Sequence, residues 1–440
     1  SQIEVDQQQV NLTRFSLFFP EKRDFFLEND GIFNFADQRV RNYRTGSGPR
    51  NFKLFHSRRI GLSASRQPVP IAAGARLTGR IGNFDLGFLN MQTEADQELP
   101  AENFTVLRLR RNILKSSDIG VMLTNRQATG QGRDAWNRAA GVDANLRVLG
   151  NMIVNSYFAV TDVPDASGNQ QMAALQVAWR DPLWDTSFLL KTVGENFDPG
   201  IGFVSRRGIR QGFLTFGAHP QPRIKGIFEI NPYVDVNVFT DSGWRLESRE
   251  ISPGLGVRFL NSSSLTLEIS NRFERLADTT SIAGADVPAG EYDFTAVRLS
   301  YRSDSGKRLA GTLTLTHGDF FDGDRTSVSG SFAIRPSARV YFRGTFQHNR
   351  LRLGGQAFNA DLVSARFNYG HNTRTFFSAF VQYIRAADEL VTNLRFNLIH
   401  APLSDIFLVY QDRRDLDTAT AEPTLLDRAL TLKVTKLFAF

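Results

Sequence analysis

The stretch Thr392-Asn393-Leu394-Arg395-Phe396-Asn397-Leu398 decides the fold class of this chain. Its apolar residues Leu394, Phe396 and Leu398 occupy every second position, and polar residues lie between them. Successive side chains of a β-strand point to opposite faces, so a period of two predicts a strand with one apolar and one polar face. An amphipathic helix would instead place its apolar residues three and four positions apart.

The same alternation recurs along most of the chain. It is clearest in residues 265–274, 295–302, 309–316, 339–349 and 363–369. Amphipathic helical patterns are hard to find, so the sequence predicts an all-β protein.

Composition excludes several other classes. The 440 residues include no Cys, which rules out disulfide and zinc–thiolate frameworks. The net charge of +7 comes without a basic block or basic helix, so we predict no nucleic-acid partner. The chain has 37 Phe, which argues against disorder. No apolar run approaches the roughly 20 residues of a transmembrane helix.

Two-faced strands fit either a soluble sandwich or propeller, or a membrane barrel with apolar side chains toward lipid. Sandwich strands run about 5 to 6 residues, whereas these approach the roughly 9 to 11 that cross a bilayer. Short connections such as 81–83 and 370–373 alternate with longer ones such as 276–291, 318–326 and 351–358. The pattern predicts a transmembrane antiparallel β-barrel of about 22 strands, in a range of about 20 to 24, with short periplasmic turns and longer extracellular loops.

The last residues fit this interpretation. Residues 430–440 alternate again and end on aromatic side chains, Phe438 and Phe440. This ending resembles the terminal strand signal that outer-membrane barrels present to the barrel-assembly machinery, which we therefore expect as a partner. Residues 1–10 contain no export signal, so we expect a mature or truncated chain.

Four stretches carry a resemblance to a known family. They are Phe18-Phe19-Pro20-Glu21-Lys22-Arg23-Asp24-Phe25-Phe26-Leu27-Glu28, Phe55-His56-Ser57-Arg58-Arg59-Ile60-Gly61, Gly74-Ala75-Arg76-Leu77-Thr78-Gly79 and Asn196-Phe197-Asp198-Pro199-Gly200-Ile201-Gly202-Phe203-Val204-Ser205-Arg206-Arg207. These stretches, which span roughly the first half of the chain, resemble an uncharacterised family of bacterial outer-membrane β-barrels. Longer members carry an N-terminal domain similar to family 9 carbohydrate-binding modules.

The resemblance implies a location in the bacterial outer membrane, with the lipid bilayer and lipopolysaccharide as surroundings. It implies no established activity. The sugar-binding-like domain would precede Ser1, so carbohydrate recognition is not carried over to this chain.

Residues 1–50 look less like a barrel than residues 51–440, where we place the barrel domain with its first strand near residue 51. One hypothesis is that residues 1–50 form a plug or periplasmic segment, because a barrel this wide has a lumen that needs filling. The alternative is that they add one or two strands. The plug candidates cluster around a charged turn: Phe18, Phe19, Glu21, Lys22, Arg23, Phe25 and Phe26.

The polar face of the strands is rich in arginine. The predicted lumen-facing basic wall consists of Arg76, Arg80, Arg108, Arg110, Arg258, Arg298, Arg302, Arg339, Arg343, Arg366 and Arg395. Rings of Arg favour anions in pores, so one interpretation is a conduit for anionic solutes. The other is that these Arg residues pair with lumenal Asp and Glu, stiffen the wall and bind the plug.

Catalytic motifs are missing from the sequence. The six His are scattered, and neither a G-x-S-x-G elbow nor a phosphate-binding loop appears. Asp322 and Asp324 alone are too few ligands for a calcium site. We therefore predict no catalytic residue, metal or cofactor.

Three function classes stay open: a transport or secretion conduit, a plugged scaffold barrel in a complex with outer-membrane or periplasmic proteins, and an outer-membrane hydrolase. The conduit is the leading interpretation, and its cargo is not specified by the sequence.

Overall fold

The computed structural model describes residues 8–39, 52–63, 68–95, 99–130, 135–164, 166–402, 404–416 and 423–436. The protein is all-β, with 67% strand and 4% helix, which confirms the predicted class. Within these ranges, no helix has both the length and the apolar character needed to cross a membrane.

The helical elements are short turns that lie mostly before the sheet. They are α1 (Asp24–Leu27) and the 3-10 helices η1 (Asp30–Phe33), η2 (Ala36–Arg39), η3 (Ser57–Arg59) and η4 (Arg385–Ala387). The strands in chain order are β1 (Phe52–Lys53), β2 (Ile71–Ile81), β3 (Phe84–Thr93), β4 (Glu102–Ile113), β5 (Ser117–Ala128), β6 (Trp136–Val148), β7 (Met152–Asp162), β8 (Gln171–Arg180), β9 (Trp184–Val193), β10 (Phe203–Val204), β11 (Ile209–Ala218), β12 (Ile227–Asp241), β13 (Leu246–Phe259), β14 (Ser264–Leu276), β15 (Thr280–Ile282), β16 (Ala285–Val287), β17 (Gly290–Arg302), β18 (Leu309–Phe320), β19 (Gly323–Ser337), β20 (Val340–Leu353), β21 (Gln356–Asn359), β22 (Leu362–Gly370), β23 (Thr375–Ile384), β24 (Glu389–Ala401), β25 (Ser404–Asp415) and β26 (Thr424–Val434).

Within the described ranges, 22 of these strands form one large antiparallel sheet. Long strands pair with their neighbours along the chain, as β4 does with β5 from Glu102↔Ala128 to Ile113↔Ser117. The pairs β1–β10 and β15–β16 lie outside this sheet.

The strand expected near residue 51 is wrong, because β1 is only two residues long and pairs with β10. The predicted number of strands is still reached, since the short β21 pairs with the end of β20 while β22 pairs with the rest of it.

The short connections are confirmed where they were expected. β2 and β3 are joined by a two-residue turn in which Gly82 has a φ of 57°. The loop predicted at 318–326 is wrong, because β18 and β19 continue to a tight turn at Phe321 and Asp322. Its Asp- and Gly-rich sequence suggested a loop, but Phe320 and Phe321 pack against Phe294 and hold the strands together.

One face of the sheet is exposed and apolar, and the other is covered and carries both polar and apolar side chains. In β5, Ile119, Val121 and Leu123 are exposed, whereas Met122 and Thr124 are buried. β18 repeats the pattern with exposed Leu313 and Leu315 and a buried Thr316, so the solvent-accessible face is the apolar one. A half-buried soluble sheet would instead present a polar face to solvent.

The chain divides into two compact units. The N-proximal unit consists of Phe15–His219 and Tyr233–Ile251, and the C-proximal unit consists of Ser1–Arg14, Pro220–Pro232 and Ser252–Phe440. Each unit has its own apolar cluster. In the C-proximal unit, residues of the β15–β16 hairpin pack with Phe294, Phe320 and Leu351.

Candidate functional site

Residues 15–39 and 52–62 of the N-proximal unit, called the N-terminal segment below, pack against the covered face of its strands. Phe33, Phe35, Phe52 and Leu54 of this segment share one buried cluster with sheet residues such as Tyr157. The described residues 8–39 contain short helical turns and no strand, so they do not add strands to the sheet. The segment is the natural candidate site, because it covers side chains that the sheet would otherwise expose.

A charged network gives the segment its own internal structure. The Glu21 carboxylate accepts hydrogen bonds from Arg23 Nη2 at 2.7 Å and from Ser57 Oγ at 2.8 Å. Arg23 also donates to the carbonyl oxygens of Ser57 and Ile60 at 2.8 and 2.7 Å. Its guanidinium lies 4.3 Å from the centre of the Phe26 ring. Side chains and carbonyl groups 34 to 37 residues apart are thereby joined around one ion pair.

Two titratable groups of this network have displaced pKa values. Burial alone would raise the pKa of Glu21, but Arg23 and Ser57 outweigh it and lower the pKa to about 2. Burial, reinforced by the positive charge of Lys53, lowers the pKa of His56 to about 4. At neutral pH the segment therefore holds an ionised Glu21 and an uncharged His56.

Aromatic contacts continue from the network toward the sheet. The Phe18 ring lies 4.9 Å from His56 and 5.3 Å from Phe203, measured between ring centres. Phe52 stacks on Tyr157 of β7 at 5.8 Å. Phe35 meets the same tyrosine at 6.2 Å, so one side chain of the sheet contacts both described parts of the segment.

A buried polar contact fixes the segment to the sheet. Asp37 accepts a hydrogen bond from Tyr157 Oη at 2.6 Å and forms an ion pair with Lys191 Nζ of β9 at 2.5 Å. The side chains of Asp37 and Lys191 are only 4% and 2% exposed. Because a buried charge without a partner is strongly destabilising, this pair favours the docked position of the segment.

Arg108 of β4 forms a second contact. Its guanidinium makes a bidentate pair with Asp143 of β6, at 2.7 and 2.9 Å, and the Arg108 side chain is 0% exposed. The same guanidinium lies 5.4 Å from the centre of the Phe35 ring. The segment thus seals an ion pair of the sheet from solvent.

Arg76 of β2 holds the helical turn α1. It donates to the backbone carbonyls of Phe25 and Glu28 and pairs with the Glu28 carboxylate at 2.5 Å. Its guanidinium lies 5.1 Å from the centre of the exposed Phe25 ring. Arg76 thereby provides hydrogen-bond donors for carbonyl groups in and next to α1, a helix too short to supply them within itself.

Glycines of the sheet allow the segment to approach closely. A Cβ at Gly87 would lie 2.9 Å from the Phe33 ring, and one at Gly141 would lie 2.6 Å from the Phe35 ring. Both contacts are shorter than carbon atoms tolerate, so the sheet requires glycine at these two positions.

The plug candidates occupy different environments. Phe26 is buried, and Phe18, Phe19, Glu21, Lys22 and Arg23 are half-buried. Phe25 is exposed and contacts Arg76. Sequence reasoning missed residues 52–62 of the segment, although the adjacent apolar pair Leu54-Phe55 is a signal against a strand.

Pairing dominates the predicted arginine wall. Six members pair with carboxylates of the same unit: Arg76 with Glu28, Arg80 and Arg110 with Asp85, Arg108 with Asp143, Arg258 with Glu229, and Arg298 with Glu268. Arg343 lies 5.9 Å from the Tyr341 ring and Arg366 lies 4.9 Å from the Phe380 ring. Arg302 is exposed on β17, and Arg395 is half-buried on β24.

One member of the wall was misplaced by the sequence prediction. Arg339 is exposed in the turn between β19 and β20 instead of lying within a strand. The alternation had suggested that β20 starts one residue earlier, but β20 begins at Val340.

Other predicted sites have no structural counterpart to compare. Phe438 and Phe440 lie outside the described residues, so the assembly signal stays a prediction. Among the described residues, no cluster of His, Asp and Glu is suited to hold a metal ion.

No family model matches the chain, and no curated protein matches it. The family resemblance therefore stays a prediction.

Proposed function

We propose that the 22-stranded sheet closes into a bacterial outer-membrane β-barrel that serves as a conduit, with the N-terminal segment as its plug. The observation that carries this proposal is the inverted chemistry of the sheet. Leucine, valine and phenylalanine side chains are exposed on one face of strand after strand, and the charged and polar side chains lie with other apolar ones on the covered face. In water such an apolar face would promote aggregation, whereas in lipid it is the stable arrangement.

The strand lengths support the same environment. Most strands of the large sheet have 10 to 15 residues, which suffices to cross the hydrocarbon core at a tilt. The lipid bilayer, lipopolysaccharide and the barrel-assembly machinery would then be the partners. The cargo would be hydrophilic, because the covered face carries Arg, Asp, Asn and Thr.

A second candidate, the plugged scaffold barrel, is favoured by the buried Asp37–Lys191 pair. This pair would have to break for the segment to leave, and breaking it costs about 3 to 5 kcal/mol. If nothing supplies that energy, the barrel stays closed and serves partner proteins.

Single-channel conductance in planar bilayers tests the proposal. We expect the full chain to insert and conduct weakly or not at all. The variant Gly141→Leu pushes on the Phe35 ring and should open a steady conductance. Gly79→Leu is the matched control, since a Cβ there meets nothing within 4 Å. If the protein inserts but Gly141→Leu stays closed, the scaffold function is correct. If it does not insert, both candidates fail.

A further inference from the structure

Strands β14, β17, β18 and β19 of the C-proximal unit carry more arginine than carboxylate on their covered face. This face is marked by four buried side chains: Ser270, Phe294, Thr316 and Ala333. Side chains at every second position share a face of a strand, so Arg272, Arg298 and Arg325 lie on it too. Within these four strands, all of which the structure describes in full, the covered positions contain only two carboxylates, Glu268 and Glu274.

Both carboxylates already have an arginine partner. Glu268 pairs with Arg298 at 3.3 Å, and Glu274 pairs with Arg14 at 3.4 Å. Together with the three arginines of the face, Arg14 makes four arginines against two carboxylates, which leaves an excess of two positive charges. A cation would be repelled by this group, and a neutral solute would gain nothing from its charge.

Arg325 is the arginine of this group that has no counter-ion. It is half-buried, and its Nε is buried without a hydrogen-bond partner. Its guanidinium lies 4.9 Å from the centre of the Phe320 ring and forms no ion pair among the described residues. The positive charges of Arg272 and Arg298 act on it from nearby strands. Because burial and like charges both disfavour a charged group, an anion bound here would stabilise the folded chain.

The strands leave room beside Arg325 for such an anion. Gly318 lies opposite Arg325, Ala296 lies opposite Gly318, and Ser270 lies opposite Ala296. These three residues have small side chains, so the sheet surface beside the Arg325 side chain is low. A guanidinium is a planar fork of N–H donors that fits the oxygens of a phosphate or carboxylate.

We propose that Arg272, Arg298 and Arg325 bind a phosphate group, either as inorganic phosphate or as part of a larger hydrophilic solute. A phosphate group carries a charge of about −1.5 to −2 at neutral pH, which matches the excess of positive charge, whereas a carboxylate carries only one negative charge. The proposal goes beyond the proposed function, because binding here requires neither an open pore nor passage of the solute.

Isothermal titration calorimetry on the full chain, in a non-ionic detergent and a phosphate-free buffer, tests the site. The probes are inorganic phosphate, glycerol 3-phosphate and glycerol. We expect saturable binding of both phosphate compounds and none of glycerol. Tighter binding of glycerol 3-phosphate would identify the ligand as a phosphorylated solute, and equal or tighter binding of inorganic phosphate would identify it as the free ion. Absence of saturable phosphate binding would overturn the proposal and leave the conduit to be judged by its conductance.

Three variants locate the binding. Arg325→Gln should weaken phosphate binding about tenfold, and Arg325→Lys, which keeps the charge without the fork, should weaken it less. Arg335→Gln is the matched control, because Arg335 lies ten positions further along β19, stacks on Tyr341 at 5.3 Å and carries the same charge. It should bind phosphate like the wild type.

Thermal unfolding separates binding from a structural role of Arg325. Without phosphate, Arg325→Gln should melt no lower than the wild type, since this arginine has no ion-pair partner to lose. Phosphate should raise the melting temperature of the wild type and of Arg335→Gln, but much less that of Arg325→Gln. If Arg325→Gln binds phosphate normally, or if Arg335→Gln weakens binding equally, the site is wrong.

Discussion

The Arg108–Asp143 pair allows the packing of the N-proximal unit to be tested quantitatively. The two side chains are 0% and 2% exposed and share two charge-assisted hydrogen bonds, at 2.7 and 2.9 Å. Arg108→Met keeps the length of the side chain but leaves the Asp143 carboxylate buried without its partner. Such a loss costs about 3 to 5 kcal/mol. We expect the free energy of unfolding to fall by about 4 kcal/mol.

A matched control lies on the adjacent strands β4 and β5 of the same unit. Arg126 forms an ion pair with Glu102 at 2.8 Å, but the two side chains are 40% and 20% exposed. Exposed pairs contribute about 0 to 1 kcal/mol, so Arg126→Met should have little effect. Because both variants lose the same charge, the difference between their free energies of unfolding measures the effect of burying the ion pair.

Urea unfolding of the reconstituted chain, followed by tryptophan fluorescence, measures these differences. All four tryptophans lie in the N-proximal unit, so the signal reports on the correct part of the protein. The double variant Arg108→Met/Asp143→Leu removes both charges and should recover about 2 to 3 kcal/mol of the loss. The reasoning is refuted if Arg108→Met and Arg126→Met unfold at the same urea concentration.

Three further outcomes follow from the contacts of the N-terminal segment. The pKa of His56 is lowered from 6.5 to about 4, and that of Glu21 from 4.5 to about 2. The contribution of each group to the stability of the folded segment is therefore complete above its ordinary pKa and is lost as the pH falls from there toward the lowered pKa. Hydrogen exchange of the segment should therefore accelerate on acidification, and unchanged protection down to about pH 3 would contradict this. Asp37→Asn leaves a buried lysine without its counter-ion and should expose the segment to protease, whereas cleavage at the wild-type rate would argue against its anchoring role. Gly120→Ala places a Cβ 2.6 Å from an Arg108 nitrogen and should lower the melting temperature, while Gly212→Ala, with nothing within 4 Å, should not.

The strands could be predicted because a sheet with one apolar and one mixed or polar face leaves a period of two that is visible in a single strand. Residues 392–398 alternate in the sequence, and the structure contains them in β24. The ends of the strands were harder to predict, because residues typical of turns also occur inside strands. The tight turn at Phe321 and Asp322 depends on aromatic packing against Phe294, which no local pattern reveals.

The candidate site was predictable only in part. The cluster of phenylalanines in residues 18–26 indicated a packed segment, but its anchors come from distant positions. Asp37 and Lys191 are 154 residues apart, and nothing in either neighbourhood marks them as partners. The arginine wall shows the same limit. Arg80 and Arg108 both occupy polar positions of an alternating pattern in the sequence, but Arg80 is exposed and Arg108 is fully buried.

The proposed outer-membrane barrel requires that the apolar face of the sheet contacts lipid. The chain has no native cysteine, so single cysteines can be introduced and spin-labelled without background. We choose the adjacent pairs Leu123/Thr124 on β5 and Leu315/Thr316 on β18, in which the first residue is exposed and the second is buried. After reconstitution into vesicles, labels replacing the two leucines should collide with lipid-soluble oxygen far more often than with a water-soluble nickel complex, and labels replacing the threonines should not. If the leucine positions collide mainly with the nickel complex, the sheet faces water and the outer-membrane barrel is wrong.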